Sequence, residues 1–336
     1  MNYYIYGYSD KGNYRDNNED AVLVDHEIIY NGRCEAAVSA PCLTAVCDGV
    51  GGENSGEIAS RLCLNYLSLV DYSSNVNMRD KVRDIHNKIK KKGVLIENSA
   101  NMQTTLCCLA IDESGQAVCI NVGDSRMYRF VNGTVRQISV DQSYAQFLYE
   151  HGQIDDMSEL EPEYQNAIIS SVGSVVNEPQ IVQTPLVAKF GIEPDDTIII
   201  MSDGISDYLT EDEIEVTMGL DLPIGEKMDA MAQLALDNGS TDNVSIAAVK
   251  PYIDEEELAA INSKTAVETM VNVEEALAKG EDYLSDILDI NVNEIVSHKT
   301  PEDKNNQLVN NIFDRTGELM SQSKKSIEEL KKKFGM

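Results

Sequence analysis

The stretch Ala45-Val46-Cys47-Asp48-Gly49-Val50-Gly51-Gly52 constrains this chain more than any other. A short apolar run ends on a carboxylate, and glycines follow at once. The apolar run reads as a buried strand, and glycine lets the backbone turn sharply and approach whatever the Asp holds. A carboxylate at the end of a buried strand is poorly solvated and needs a partner. The same arrangement recurs at Ile198-Ile199-Ile200-Met201-Ser202-Asp203-Gly204. Two copies imply two carboxylates delivered to one place, which we read as a metal site.

Composition limits what that place can serve. The 336 residues suffice for one large domain with an appendage, or for two domains. A formal net charge of −30 argues against nucleic-acid binding, which needs a basic face. Such a surface repels an anionic substrate at long range, so a phosphate ester binds only where local cations reverse the field. Bound metals and an Arg would do that. None of the seven Cys (Cys34, Cys42, Cys47, Cys63, Cys107, Cys108, Cys119) forms a CxxC pair, and most lie in apolar runs, as reduced buried thiols do. The N-terminus lacks the basic and apolar regions of a signal peptide, and no apolar run approaches bilayer length. The expectation is a cytoplasmic protein without a membrane span.

Taken in order, Asn2–Tyr8 reads as a strand, then a polar loop carries Arg15, Glu19 and Asp20 into a short strand, Ala21–Val24. Taken alone, that loop reads as a solvated turn with a surface ion pair rather than as an Arg for phosphate with Glu19 and Asp20 near a metal. Cys42–Cys47 presents Asp48. Helical spacing of apolar residues predicts helices over Ile58–Val70 and Lys81–Lys92, the second with a basic end that complements the helix dipole. Thr104–Ile111, Ala117–Val122, Met127–Val131 and Thr134–Ile138 read as strands joined by tight turns, with Asn132-Gly133 as a hairpin signal, and imply an antiparallel sheet. Asp141–Gly152 reads as a helix and Asp155–Tyr164 as an acidic loop. Ile168–Val172, Ile181–Val187, Ile198–Met201 and Val244–Val249 are further strands; Leu209–Met218 and Met228–Leu236 are helices. Strands and helices in blocks favour an α+β fold, two sheets covered by helices, over an alternating parallel one.

After Lys250-Pro251 glycines become rare and helix formers dominate. A boundary is expected there, between a 1–250 domain and a 251–336 helical extension. The extension holds 18 acids against 10 Lys or Arg. Thr300-Pro301 with Asp303 is a helix-start signal. Leu308, Ile312, Leu319, Ile327, Leu330 and Phe334 then recur near multiples of 3.5, the spacing of either a solvated helix or one that binds a partner or itself.

Asp48, Asp124, Asp203 and Asp242 sit at strand ends or in tight loops, with Glu19 and Asp20 near the start. Packed carboxylates take up protons unless a cation is present. All-oxygen ligation selects Mg2+ or Mn2+. The four His are scattered without zinc-like spacing. Two hard ions about 3.5–4 Å apart can activate a bridging water and clamp both oxygens of an in-line phosphoryl displacement. No Walker A or Gly-x-Ser-x-Gly sequence is present.

At this point the chain from about residue 5 to 250 resembles the metal-dependent Ser/Thr protein phosphatases of type 2C in their bacterial form. The matches come in the family's order: Arg15-x-x-x-Glu19-Asp20; Asp48-Gly49-Val50-Gly51-Gly52 continuing into Ser55-Gly56-Glu57-Ile58-Ala59-Ser60; Thr104-Thr105, with Gln103 where Gly is usual; Gly123-Asp124-Ser125-Arg126; Ser202-Asp203-Gly204-Ile205-Ser206-Asp207; and Thr241-Asp242-Asn243. The resemblance implies a β-sandwich of two antiparallel sheets flanked by helices. It implies that Asp48 bridges two metals, that the Gly49 carbonyl binds one, and that Asp203 and Asp242 hold the other. Glu19 and Asp20 would act on waters of the metals, Asp124 would serve a third, weaker ion, and Arg15 would clamp the substrate phosphate through its planar fork. Val50 stands where many eukaryotic members have a His that is a candidate acid for the leaving group; bacterial relatives also lack it. The expected activity is hydrolysis of phosphorylated Ser and Thr in proteins, opposing a Ser/Thr kinase. The alternatives are a catalytically silent scaffold or sensor, and a phosphohydrolase of small esters.

Overall fold

The computed structural model describes residues 2–50, 55–96, 101–165, 167–186, 192 and 196–252. Gly51, Gly52 and the expected helix of the 251–336 extension lie outside the described residues. The described chain forms β1 (Asn2–Asp10), β2 (Ala21–Val24), β3 (Glu27–Ile29), β4 (Gly32–Ser39), β5 (Cys42–Cys47) and β6 (Gly49–Val50), then α1 (Ser55–Ser68) and α2 (Met78–Leu95). There follow β7 (Gln103–Thr104), β8 (Leu106–Ile111), β9 (Ala117–Val122), β10 (Arg126–Val131), β11 (Thr134–Gln137), α3 (Tyr144–Glu150) and α4 (Pro162–Gln165). The last elements are β12 (Val182–Pro185), β13 (Thr197–Met201), α5 (Asp203–Ser206), α6 (Glu211–Met218), α7 (Ile224–Asp237) and β14 (Val244–Tyr252).

Two six-stranded antiparallel sheets result, ordered β11-β10-β13-β14-β1-β4 and β12-β9-β8-β5-β2-β3, with β6 and β7 as a separate pair. Residues from both sheets, including Ile5, Val22, Val46, Leu109, Ile198, Ile200 and Val249, share one buried core. The opposite face of the first sheet, with Ile199, Met201 and Ile246, packs on Ile214 of α6 and Met228 and Met231 of α7. A strand covered on both faces cannot alternate apolar with polar. That is why β5 and β13 are continuous apolar runs, buried throughout. The two-sheet, helix-flanked α+β fold implied by the sequence is the observed one.

Local signals set the helix starts. Asn77 accepts from the Arg79 and Asp80 N–H groups at the head of α2, and Thr210 with Glu213 closes a capping box on α6. Three expectations need correction. Ile168–Val172 is not a strand: Ile168 bridges Ser143 and Val172 bridges Thr104, so its two ends answer to different partners. Asp155–Tyr164 is not wholly irregular, because Asp156 and Glu159 cap a short 3-10 turn and α4 begins at Pro162. The strands from 104 to 138 do not lie in one sheet, since β8 and β9 belong to one and β10 and β11 to the other. Among the described residues no helix is long and apolar enough to cross a membrane.

Candidate metal centre

Antiparallel register carries distant carboxylates to one rim of the sandwich. Ala21 pairs with Cys47, which sets Asp20 beside Asp48. Met201 pairs with Ile246, and the Ser202 N–H donates to the Ser245 carbonyl, which sets Asp203 beside the 242–243 turn. Leu106 pairs with Val122, which brings the turn that carries Asp124 against Thr105 through Gly123 and Ser125. Each Asp stands where a strand has just ended or is about to begin, so its carboxylate leaves the core while its backbone stays anchored.

The Asp48 turn is held almost entirely by its neighbours' hydroxyls and amides. Its N–H donates to Thr105 Oγ1 at 2.9 Å, and its carbonyl accepts from Thr104 Oγ1 at 2.8 Å and the Thr105 N–H at 2.8 Å. Thr105 Oγ1 in turn lies 2.8 Å from Ser125 Oγ, which ties the Asp48 and Asp124 turns together. Gly49 donates to the Glu19 carbonyl, and a Cβ on Gly49 would meet the Gly56 carbonyl oxygen at 2.2 Å, so only glycine admits the head of α1 this close. Gly123, at φ 101, makes the left-handed turn through which the chain leaves one sheet for the other.

The carboxylates crowd one another. Asp48 and Asp203 are close enough to share a hydrogen bond between their carboxyl groups. Burial pushes the Asp48 carboxyl well above the usual range, and the charges of Asp203, Asp20 and Asp124 add to it. Burial and the Asp242 and Asp207 charges raise Asp203 to about 6, even though its bond to Asp48 pulls the other way. Asp20 is raised to about 8 by burial and by Asp203 and Asp242, against the pull of the Ser202 and Ser245 hydroxyls. Asp124 is raised by burial and then by Asp203, Asp141 and Asp207. Glu19, also raised by burial, accepts from the Gly56 N–H. Arg15 Nη2 lies 2.7 Å from Asp242 Oδ2 with half its side chain exposed. The sequence-expected residues therefore share one site, with Arg15 and Glu19 on its outer side and Asp124 toward Asp141 and Asp207.

Among the described residues no group of three or more His, Cys, Asp or Glu is placed to hold a metal ion. The donor set nevertheless fits hard divalent cations. Asp203 Oδ1 is buried with no hydrogen-bond partner, the surrounding charge is negative, and every donor is oxygen. Mg2+ is held through one or two carboxylates with waters completing its shell, so a ready-made cage is not required.

Two supporting side chains were given no role in the sequence reading. Asn243 accepts from the Glu19 N–H and donates to the Lys11 and Asn17 carbonyls, stapling the Arg15 loop to the Asp242 turn. Gln142 accepts from the Gly123 N–H at 3.0 Å and its own N–H donates to the Gly123 carbonyl. A short amide next to a motif Asp was the available hint for Asn243; nothing local marked Gln142.

A two-sheet sandwich that delivers acids and one exposed Arg to a common rim is the framework of a metal-dependent phosphatase. Residues 33–245 match the family profile of protein phosphatase 2C. The chain belongs to that family and is an enzyme of the protein-serine/threonine phosphatase class. It is similar to the serine/threonine phosphatase Stp of Listeria welshimeri, at 26% identity over 251 residues, spanning 72% of this chain and 93% of that relative. It is 28% identical over 253 residues to the protein phosphatase PhpP of Streptococcus pneumoniae, spanning 72% and 94%. Among solved structures, Stp1 of Staphylococcus aureus matches at TM-score 0.60 and 27% identity, over 74% of this chain and 95% of that one. The catalytic domain of PstP, solved with two manganese ions, matches at TM-score 0.58 and 25% identity, over 74% and 99%.

Proposed function

We propose that this chain hydrolyses phosphoserine and phosphothreonine in proteins by a two-metal mechanism, using Mn2+ or Mg2+, in the cytoplasm and in opposition to a Ser/Thr kinase. The observation that carries the reading is the Asp48–Asp203 carboxyl pair, with a buried Asp203 oxygen that has no partner. Asp48 and the Gly49 carbonyl would hold one ion, and Asp48, Asp203 and Asp242 the other. Asp124 would serve a third, weaker one. When bound, such ions lower the pKa of a water and neutralise charge on the phosphoryl oxygens.

The remaining work falls to this chain's residues. Arg15 keeps donors free toward solvent and binds phosphate oxygens bidentately. Asp20 and Glu19 accept hydrogen bonds from the attacking water and orient it. Val50 supplies no acid, so the leaving serine or threonine oxygen takes its proton from solvent. The acidic surface favours phosphosites flanked by Lys or Arg. In this reading the phosphatase domain runs through the end of β14 at Tyr252, two residues past the boundary expected at 250, and the chain beyond it binds a partner or a second copy.

Phosphopeptide hydrolysis with Mn2+, against the same reaction in excess chelator, tests the central claim. Activity that survives chelation overturns the metal mechanism. A protein that binds Mn2+ but turns over no phosphopeptide is the silent scaffold instead. Because Asn2 pairs with Tyr252, a truncation that probes the extension must keep β14 whole and end after Tyr252.

A further inference from the structure

The residue before Asp203 opens the short helix α5, where serine ordinarily turns its hydroxyl back to accept a bond from the helix's own N–H groups. Ser202 makes no such side-chain cap. Its hydroxyl donates instead to Asp20 Oδ2 at 2.8 Å, across 182 residues of sequence. Ser202 Oγ also accepts from the Ser245 N–H at 3.1 Å. The Ser245 hydroxyl also bonds Asp20 and stands 2.8 Å from Ser9 Oγ, which accepts from Asn18 Nδ2 at 2.8 Å. Asn18 closes the ring by accepting from the Asp20 N–H at 3.1 Å. Ser9, Ser202 and Ser245 are fully buried and Asp20 nearly so.

Packing alone does not ask for hydroxyls here, since a buried hydroxyl without a partner is costly and alanine would fill almost the same space. Each hydroxyl in this cluster leads to the same carboxylate. We infer that Ser202, backed by Ser245 and Ser9, is a positioning residue that fixes the rotamer of Asp20 so that its carboxylate faces the water of the metal centre. This inference rests on the proposed two-metal reading and adds a residue to it. The Ser202 and Ser245 hydroxyls together hold Asp20 just ahead of β2, where Asp203 and Asp242 repel its carboxylate. Without the Ser202 donor only the Ser245 hydroxyl would restrain the carboxylate, which would turn from those charges.

The test compares Ser202→Ala and Ser202→Thr in the full chain. Threonine keeps the hydroxyl and alanine removes it, while neither disturbs a cap bond that wild type lacks. Calorimetric titration with Mn2+ gives the first readout: Ser202→Ala should bind about three- to tenfold more weakly, and Ser202→Thr within about twofold of wild type. Phosphopeptide kinetics at saturating Mn2+ give the second: Ser202→Ala should lose about tenfold in kcat at nearly unchanged KM, with recovery in Ser202→Thr. Wild-type Mn2+ affinity in Ser202→Ala overturns the inference, as does equal impairment of both variants, which would mark a packing effect. If wild type binds Mn2+ but hydrolyses nothing, the phosphatase reading fails, and the binding comparison still decides the role of Ser202.

Discussion

Two arginines lie near the carboxylate rim, and they are held in opposite ways. Every guanidinium nitrogen of Arg126 is engaged: Nε bonds Asp141 and Nη2 bonds Asp207, each at 2.8 Å, and Nη1 donates to the Ser206 carbonyl at 2.9 Å. Arg15 reaches Asp242 through one nitrogen and is half exposed. A guanidinium that spends its donors within the protein cements structure; one that keeps them free is available to a ligand. Both sit among acids in the sequence, and only the contacts separate them.

The largest expected effect removes the fully engaged arginine. Arg126→Ala leaves Asp141 and Asp207 without their cation and should cost about 3 kcal/mol of stability, measured by urea unfolding. Arg15→Ala should change stability by less than about 0.5 kcal/mol, as exposed pairs do. Yet it should lower kcat/KM for a phosphopeptide about 100-fold, or roughly 2.7 kcal/mol, mostly through KM. If the two variants swap behaviour, the contrast between them is wrong.

A comparable shift belongs to the metal. At 100 times its Kd, Mn2+ should raise the stability of wild type by about 2.7 kcal/mol, and Asp203→Asn should abolish most of that gain. In chelator the same variant should be no less stable than wild type, because it removes one of the repelling charges. A metal-free variant that is clearly weaker would contradict the crowded-carboxylate picture.

The smallest effect sharpens the comparison with a third base. His86, on α2, is buried, and its Nδ1 accepts from the Gly173 N–H at 2.9 Å, so the neutral ring carries its proton on Nε2. Burial lowers its pKa, and Lys90 adds to this while Glu178, 3.7 Å from Nε2, opposes it. A depressed folded pKa means that the stability is fully present above the ordinary value of about 6.5 and is lost as pH falls toward the lower folded value. Wild type should therefore lose up to about 1.4 kcal/mol per pH unit in that window from this group. His86→Asn, which keeps an acceptor for Gly173, should flatten that part of the stability–pH curve relative to wild type.

Much of the rim was legible because glycine and Asp leave local marks. The runs before Asp48 and Asp203 announce strands buried on both faces, and the glycines after them announce close turns. The Ile168–Val172 run misled for the same reason: it is apolar and the right length, but its ends bridge Ser143 and Thr104 rather than one neighbouring strand. The crossing from one sheet to the other after Val122 left no pattern beyond Gly123, since nothing local says which sheet the next strand joins.

By itself the sequence determined which residues could end strands as free carboxylates, and the order in which they come. Those are short-range properties of backbone freedom and side-chain charge. Only the folded chain decided that Ser202 serves Asp20 rather than its own helix, that Asn243 staples the Arg15 loop, and that Arg126 is spent while Arg15 is not. Such partnerships join residues up to 232 positions apart, and no local preference encodes which hydroxyl or amide the sheet register will bring within 3 Å.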